Sequence, residues 1–489
     1  MDSFITPTEG WLVFLAFAVS MIGIVWFATQ PHKNKDDHLV AGRNVGTWMG
    51  AFSIAVSWIW APAVFICSQK AYQQGLAGIF WFTIPNILCF FTFAPLALRL
   101  RRLMPQGYSM PNFIWHRFGG NKHVHLIFVA ITLGYEIGAV VINALAGGTL
   151  MSALSGINLQ VAILCMTVVA ASYAVWRAMP ASIITDFIQM SVILLVALVL
   201  VPWVVMNAGG WQVVTSGLAG ISGSTNVFDP WIVYSFGIPA TLGLISGPIA
   251  DQMFYQRVMS ARYKTVVKTF IFGGLIFGII PIVLSIFGFV AASPMVSGLT
   301  ITDPQMVGVA VIEHFLPKWT LFVFAFMVLC ALCSTLDSAY IAIGSIWAID
   351  VYQRYKNTNA SDKDIIGASK KAMFVFAVAG TMIAMLPGLK LLWVFLIYGA
   401  LASAALVPTV LSLYWNRLTA RGAFWGAFLS FLIGLPMSIY ANASENPHLI
   451  VVSALLSVAV GLIVCLYDGL RNKGPAFDFS VFEKQSAAT

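Results

Sequence analysis

Thirteen runs of predominantly apolar residues follow one another along this chain, each close to the length of about 20 residues that carries a helix across the hydrocarbon core of a bilayer. They fall near 9–29, 47–73, 77–99, 123–153, 158–176, 180–206, 229–257, 266–293, 319–353, 369–388, 390–415, 420–441 and 447–467. In hydrocarbon every backbone N–H and C=O must be bonded internally, so such runs predict helices. The expected fold class is an all-α membrane protein of about 13 transmembrane helices. Residues 1–468 form a single transmembrane domain, followed by a short cytoplasmic tail over 469–489. Only 9% of the 489 residues are charged, against about a quarter in soluble domains. No stretch is long and polar enough for a soluble catalytic or sensor domain.

The positive-inside rule tests the count. With the N-terminus outside and each run crossing once, every Lys and Arg falls at the cytoplasmic face except Lys70, Lys318 and Lys390. A missed or added crossing would scramble that parity downstream. Asp2 and Glu9 precede the first run without a basic residue, unlike a cleaved signal peptide, so this run is expected to be retained. The expected location is the cell membrane, with the C-terminus cytoplasmic. The net charge of +8 reflects the basic inner helix ends, and no nucleic-acid partner is expected. All six cysteines sit in apolar runs, and Cys330 and Cys333 have no second ligand pair. His116, His123 and His125 lie in an arginine-rich cytoplasmic loop and read as solvated. No cofactor or obligate protein partner is expected, and membrane lipid is the surrounding medium.

Two runs are interrupted. Span two reads Ser57-Trp58-Ile59-Trp60-Ala61-Pro62, and the proline removes a backbone N–H and displaces the Trp58 carbonyl. Span seven carries Pro239, Gly243, Gly247 and Pro248 at its middle. The interruptions sit five helices apart. They predict two inverted five-helix repeats with broken first helices, about 47–206 and 229–415, with extra helices at 9–29, 420–441 and 447–467. Glu136, Asp186 and Asp337 lie within spans and Asp251 near an inner end, where a carboxylate costs at least about 2.5 kcal/mol unless something compensates it. In span nine, Ala331, Ser334, Thr335 and Ser338 share one helical face flanked by Asp337. Hydroxyls, carbonyls and a carboxylate suit a hard cation such as sodium.

At these residues the chain resembles the solute:sodium symporter family, whose members share a LeuT-like inverted-repeat fold. Ala331-Leu332-Cys333-Ser334-Thr335 with Asp350-Val351-Tyr352 is similar to the family's A-x-x-S-S/T and D-x-Y. Thr185-Asp186-Phe187-Ile188-Gln189 is similar to T-D-x-x-Q, Asp251-Gln252 with Gln256-Arg257 to D-Q-x-x-x-Q-R, and Ala41-Gly42-Arg43 to the G-R before span two. The resemblance implies a sodium site made by the Ser334 and Thr335 side chains and the carbonyls of Ala331, Val56 and Ile59. It implies a second cation or proton site at Asp186, Ser334, Asp337 and Ser338. Asp337 stands where the family has hydroxyls, so two carboxylates converge, and a cation must separate them or one must be protonated. The glycines usual before T-D-x-x-Q are here Arg177 and Ala178. Ser246, Gly247 and Pro248 replace the aromatics of the sugar branch. Trp58, Trp60 and the Phe80-Trp81 pair look like the urea-permease branch.

The chain is expected to be a sodium-coupled symporter rather than an enzyme, importing a small polar solute such as urea or an amide or amino compound by alternating access. The solute is expected beside Trp58 and Trp60, with Glu136, Asn143 and Ser246 contributing. The membrane-depth charges identified in the sequence are all negative, which disfavours a simple carboxylate. Two rivals stand: a proton-coupled carrier in which Asp186 and Asp337 titrate, and a sensor that has lost transport. The sensor reading is opposed by the absence of a long cytoplasmic extension.

Overall fold

Each apolar run folds as helix in the computed structural model, which describes residues 4–389 and 391–482. Lys390 and Lys484, both counted in the charge parity, lie outside the described residues. No strand forms among the described residues beyond one isolated parallel bridge between Val45 and Ala261. Most helix ends fall within a few residues of those expected from hydropathy. Span ten begins earlier, at Asp362, because Ser361 and Asp364 close a capping box there.

Among the described residues eleven helices are long and apolar enough to cross a membrane, and two of them contain two crossings each. Ala61–Leu103 changes direction at Gly75 (φ 65°, ψ −151°), and Leu159–Ala208 does so at Ala178 (φ 44°, ψ −132°). Counting these halves separately gives about thirteen crossings. Gly75 is required twice over. Its φ is positive, and a Cβ there would lie 2.4 Å from the Ala219 carbonyl. The segment 218–224 lies along 72–77 through backbone bonds such as Leu76 N–H to Leu218 O (2.8 Å) and Ile221 N–H to Tyr72 O (2.8 Å).

The expected break in span two is present, and span seven is broken at a different place from the one expected. Thr47–Ser57 and the helix from Ala61 are separated by residues 58–60, and Trp60 is extended at φ −89°, ψ 177°. Pro62 sits in the first turn of the second piece, where a missing N–H is harmless. The break in span seven is not among Pro239–Pro248, which lie inside the helix Ile238–Ala250. It falls at Asp251 (φ −91°, ψ 112°), whose carboxylate caps the following helix Gln252–Ser260 by accepting the Met253 N–H (2.7 Å). The proline-bearing turns tolerate their missing N–H groups, whereas Asp251 offers an N-cap that competes with continuation. A π-helical turn over Val233–Gly237 precedes the helix.

Span nine is the centre of the molecule. In its most apolar window 78% of residues are buried, against 28% in spans one and thirteen. It packs on spans four, five and six and on the first piece of span two.

Ala178 holds a positive φ that a residue with a Cβ enters at about 1–3 kcal/mol. It occupies one of the two positions where the resembled family has glycines. Ala178→Gly loses one buried methyl, worth about 0.8 kcal/mol, and relieves the larger strain. The variant is expected to melt above the wild type in detergent. A lower melting temperature would show that the elbow is unstrained.

Candidate ion and solute site

The unwound residues of span two face the hydroxyls of span nine. The Thr335 hydroxyl lies 3.4 Å from the Ser57 carbonyl and 3.4 Å from the Ala331 carbonyl. The Val56 carbonyl accepts the Ile59 N–H at 2.9 Å and keeps a second lone pair, and Ile59 is itself fully buried. Span two thus brings the Ser57 carbonyl to Thr335, at a break that frees carbonyls of the helical ladder. Ser57 is not among the residues that the family resemblance places here.

Ser334 turns to the carboxylate of Asp186, its hydroxyl donating to Oδ1 at 2.5 Å. The other oxygen, Oδ2, accepts from Ser53 (2.5 Å), from Ser182 (3.2 Å) and from the Arg257 guanidinium (2.8 Å). Asp337 accepts from the Tyr173 hydroxyl (2.7 Å) and from Ser182 (2.9 Å), with Ser338 at 3.3 Å. Ser338 also accepts from Arg257 at 2.9 Å. The two aspartates therefore converge as expected, and both are fully buried.

Arg257 corrects two expectations. The charge parity assigns it to the fourth cytoplasmic loop, and the sequence shows only negative charges at membrane depth. Its side chain is instead 2% exposed, against Asp186 at 0%. The cause is the joint at Asp251. Breaking the helix there turns Gln252–Ser260 back into the protein, where every residue of that helix is buried. Arg257 then donates to Ser53, Ser57, Ser338, Asp186 and the Met253 carbonyl. Two carboxylates and one guanidinium leave one unbalanced negative charge, on the Asp337 side, if both acids are ionised.

Aromatic rings surround the break. Trp58 donates its indole N–H to the Asn86 side chain (2.7 Å) and packs edge-on against Phe254 and Phe90. Trp60 stacks on Phe395 and lies 5.5 Å from Tyr398, which stacks on Tyr135 at 3.7 Å. Gly247 is needed because the Trp58 ring occupies the place of its missing side chain, 2.5 Å from where a Cβ would be. The Ser246 hydroxyl donates to the Leu242 carbonyl of its own helix (2.6 Å). Asn143, fully buried on span four, donates to the Ala139 carbonyl (2.8 Å). Glu136 lies on the same helix as Asn143 but is held at the span-seven joint, its Oε1 accepting the Gln252 N–H at 2.8 Å.

Asp350 of the D-x-Y stretch lies away from this site, at the C-terminal end of span nine. It accepts from Ser109 (2.5 Å) and lies 3.3 Å from His125, whose other ring nitrogen meets the Tyr355 hydroxyl at 2.7 Å. His125 is fully buried, so the solvated reading holds for exposed His123 but not for His125. Before span two, Arg43 bonds Asp36 (3.0 Å) and the Gly107 carbonyl (2.9 Å), and Tyr108 donates to Asp36. Burial opposes the Asp36 charge, but these two partners outweigh it and hold the carboxyl below its usual range.

Sequence spacing carried signals for some of the missed residues. Ser53 and Ser57, and Ser182 with Asp186, stand four apart on one helical face. Nothing local points to Tyr173, which reaches Asp337 from a different span.

A profile of the sodium:solute symporter family matches residues 38–430. The urea-proton symporter DUR3 of Oryza sativa subsp. japonica is 23% identical over 428 residues, covering 81% of this chain and 59% of that protein. This chain therefore spans less than two thirds of that relative's length. The high-affinity proline transporter PutP of Bacillus subtilis (strain 168) is 25% identical over 475 residues, covering 93% of this chain and 97% of that protein. Among solved structures, the substrate-bound outward-open state of a Na+-coupled sialic acid symporter superposes with a TM-score of 0.79 at 17% identity. That match covers 96% of this chain and 98% of the other, so the two share the LeuT-like fold.

Removing one partner of a buried ion pair costs about 3–5 kcal/mol, because the other charge is left uncompensated. Arg257→Gln is expected to destabilise the protein on that scale in denaturant titrations. Adding Asp186→Asn should recover much of the loss. Equal stability of the single and double variants would show that the pair is not the source of the effect.

Proposed function

The chain belongs to the sodium:solute symporter family, and from that premise we propose that it is a sodium-coupled symporter importing a small polar organic solute across the cell membrane by alternating access. Urea, or another amide or amino compound, is the proposed solute. The reading places the N-terminus outside and the C-terminus in the cytoplasm, as the charge parity supports.

One observation carries the cation locus. The Thr335 hydroxyl stands 3.4 Å from carbonyls on both sides, one from the broken span two and one from span nine. A hard cation prefers such oxygens. In this reading sodium is held by the side chains of Ser334 and Thr335 and by the carbonyls of Ala331, Val56 and Ile59, with Ser57 added. Sodium there bridges two helices and stabilises the arrangement that accepts solute. Asp186, Asp337 and Ser338 form the proposed second locus, and its unbalanced negative charge favours occupation by a cation. The Arg257 guanidinium pairs with Asp186, whereas Asp337 is met by the hydroxyls of Tyr173, Ser182 and Ser338.

The solute reading rests on Trp58, Trp60, Tyr135 and Tyr398 around the break. A planar amide stacks on such faces and finds polar groups at Asn86, Asn143 and Ser246. The rice relative is named for urea and the Bacillus relative for proline, both small and polar. An inward-negative potential supplies about 2.3 kcal/mol per charge per 100 mV. A tenfold sodium gradient adds about 1.4 kcal/mol, so one ion supports accumulation of about a few hundredfold.

In proteoliposomes, Ser334→Ala with Thr335→Ala is expected to abolish the sodium-stimulated part of labelled urea uptake while expression stays intact. Unchanged sodium dependence refutes the cation locus. A thermal-shift series of small solutes with and without sodium tests the solute separately, since only a true ligand stabilises the folded state.

A further inference from the structure

A second pair of acids lies apart from the aspartates of spans six and nine. Glu136 comes from span four and Asp251 from the joint that breaks span seven, and both side chains are fully buried. Their carboxyls lie within hydrogen-bonding reach of each other. Each has one oxygen tied to the start of the helix after the joint: Glu136 Oε1 accepts the Gln252 N–H and Asp251 Oδ1 the Met253 N–H. Each has a second oxygen, Glu136 Oε2 and Asp251 Oδ2, that is buried and has no hydrogen-bond partner.

Two ionised carboxylates cannot share such a place without water or a cation between them. The surrounding groups do not supply that cation. Facing the pair are Tyr135 beside Glu136, Tyr398 from span eleven, Cys89 near Tyr135, and Tyr255 and Arg257 on the helix after the joint. The Tyr255 hydroxyl donates to the Ile249 carbonyl, and Tyr135 and Tyr398 stack on each other. The hydrogen bonds of Arg257 go to Ser53, Ser57, Met253, Asp186 and Ser338. One proton on the pair satisfies both orphaned oxygens, since one acid then donates and the other accepts.

We propose that Glu136 and Asp251 form a proton-binding site, distinct from the cation locus at span nine, whose shared proton is taken up and released as the span-seven joint moves against span four. The proton arrives from water, and an O–H bond forms on one of the two carboxyls. On release that bond breaks and the proton passes to water on the other side, with no electron transferred. With the proton bound, the acid pair closes the joint onto span four. With it lost, two like charges in a low-dielectric site push the joint away. Proton occupancy and the position of span seven are thus linked, and transport then carries a proton with the solute. The coupling rests on the transport reading above; the protonation does not.

Two measurements test this on the full-length protein in lipid. Infrared difference titration follows the C=O stretch of a protonated carboxylic acid, marked by its shift on hydrogen–deuterium exchange. The wild type is expected to show such a band that is lost on alkalinisation. Glu136→Gln and Asp251→Asn should each lose that component, and Asp337→Asn should keep it. The second readout is the pH slope of labelled urea uptake at fixed sodium. It should fall by up to about tenfold per pH unit in the wild type above the pair's titration point, and the slope should be lost in Glu136→Gln whatever its absolute rate. A carboxylic band unchanged in both variants of the pair overturns the proton site. A pH slope identical in Glu136→Gln and wild type overturns its coupling. If the wild type takes up no urea under any condition, the solute reading fails, and the infrared titration still decides the proton site.

Discussion

The arrangement of this chain depends on one buried guanidinium. Arg257 reaches Ser53 and Ser57 of span two, Asp186 of span six and Ser338 of span nine from the helix that succeeds the span-seven joint. A charge of either sign alone at that depth is strongly unfavourable, so Asp186 and Arg257 require each other. The hydroxyls around them complete the hydrogen bonding that such a pair needs in a medium without water. Four segments distant in sequence are thereby held in one register. Thr335 is carried to the unwound backbone of span two by the same packing.

Two breaks of different origin serve one architecture. In span two, Trp58–Trp60 leave the helix ahead of Pro62, and carbonyls are freed beside span nine. In span seven the helix runs through its prolines and stops where Asp251 caps the next helix. The first break exposes acceptors, which suit a cation. The second exposes N–H groups, which are met by the carboxylates of Glu136 and Asp251. The proposed cation locus therefore sits at freed acceptors, and the carboxylates of the proposed proton locus at freed N–H donors.

The segments between helices are tied by different chemistry. Backbone bonds lay 218–224 along 72–77. Buried polar contacts join Asp350, His125, Tyr355 and Ser109. The Arg43–Asp36–Tyr108 cluster fastens the segment before span two to the stretch at 105–108.

Apolar length, proline placement and helical periodicity are local properties, and through them the sequence by itself determined much of the architecture. It set the roughly thirteen crossings, the break ahead of Pro62, and the common face of Ala331, Ser334, Thr335 and Ser338. It also singled out Asp186, Asp337 and Glu136, because a carboxylate in an apolar run is conspicuous wherever it points. Only the tertiary structure decided which charge meets which. Arg257 lies next to a loop in sequence, and the joint at Asp251 turns it inward. His125 and Asp350 are 225 positions apart and meet only when spans four and nine pack. Glu136, expected beside the tryptophans, is bonded instead to the joint of span seven. The positive φ of Ala178 is likewise set by the turn between two crossings. Hydropathy records how deep a residue lies, whereas the energy of a buried charge depends on its partner, and partners are chosen by packing between distant segments.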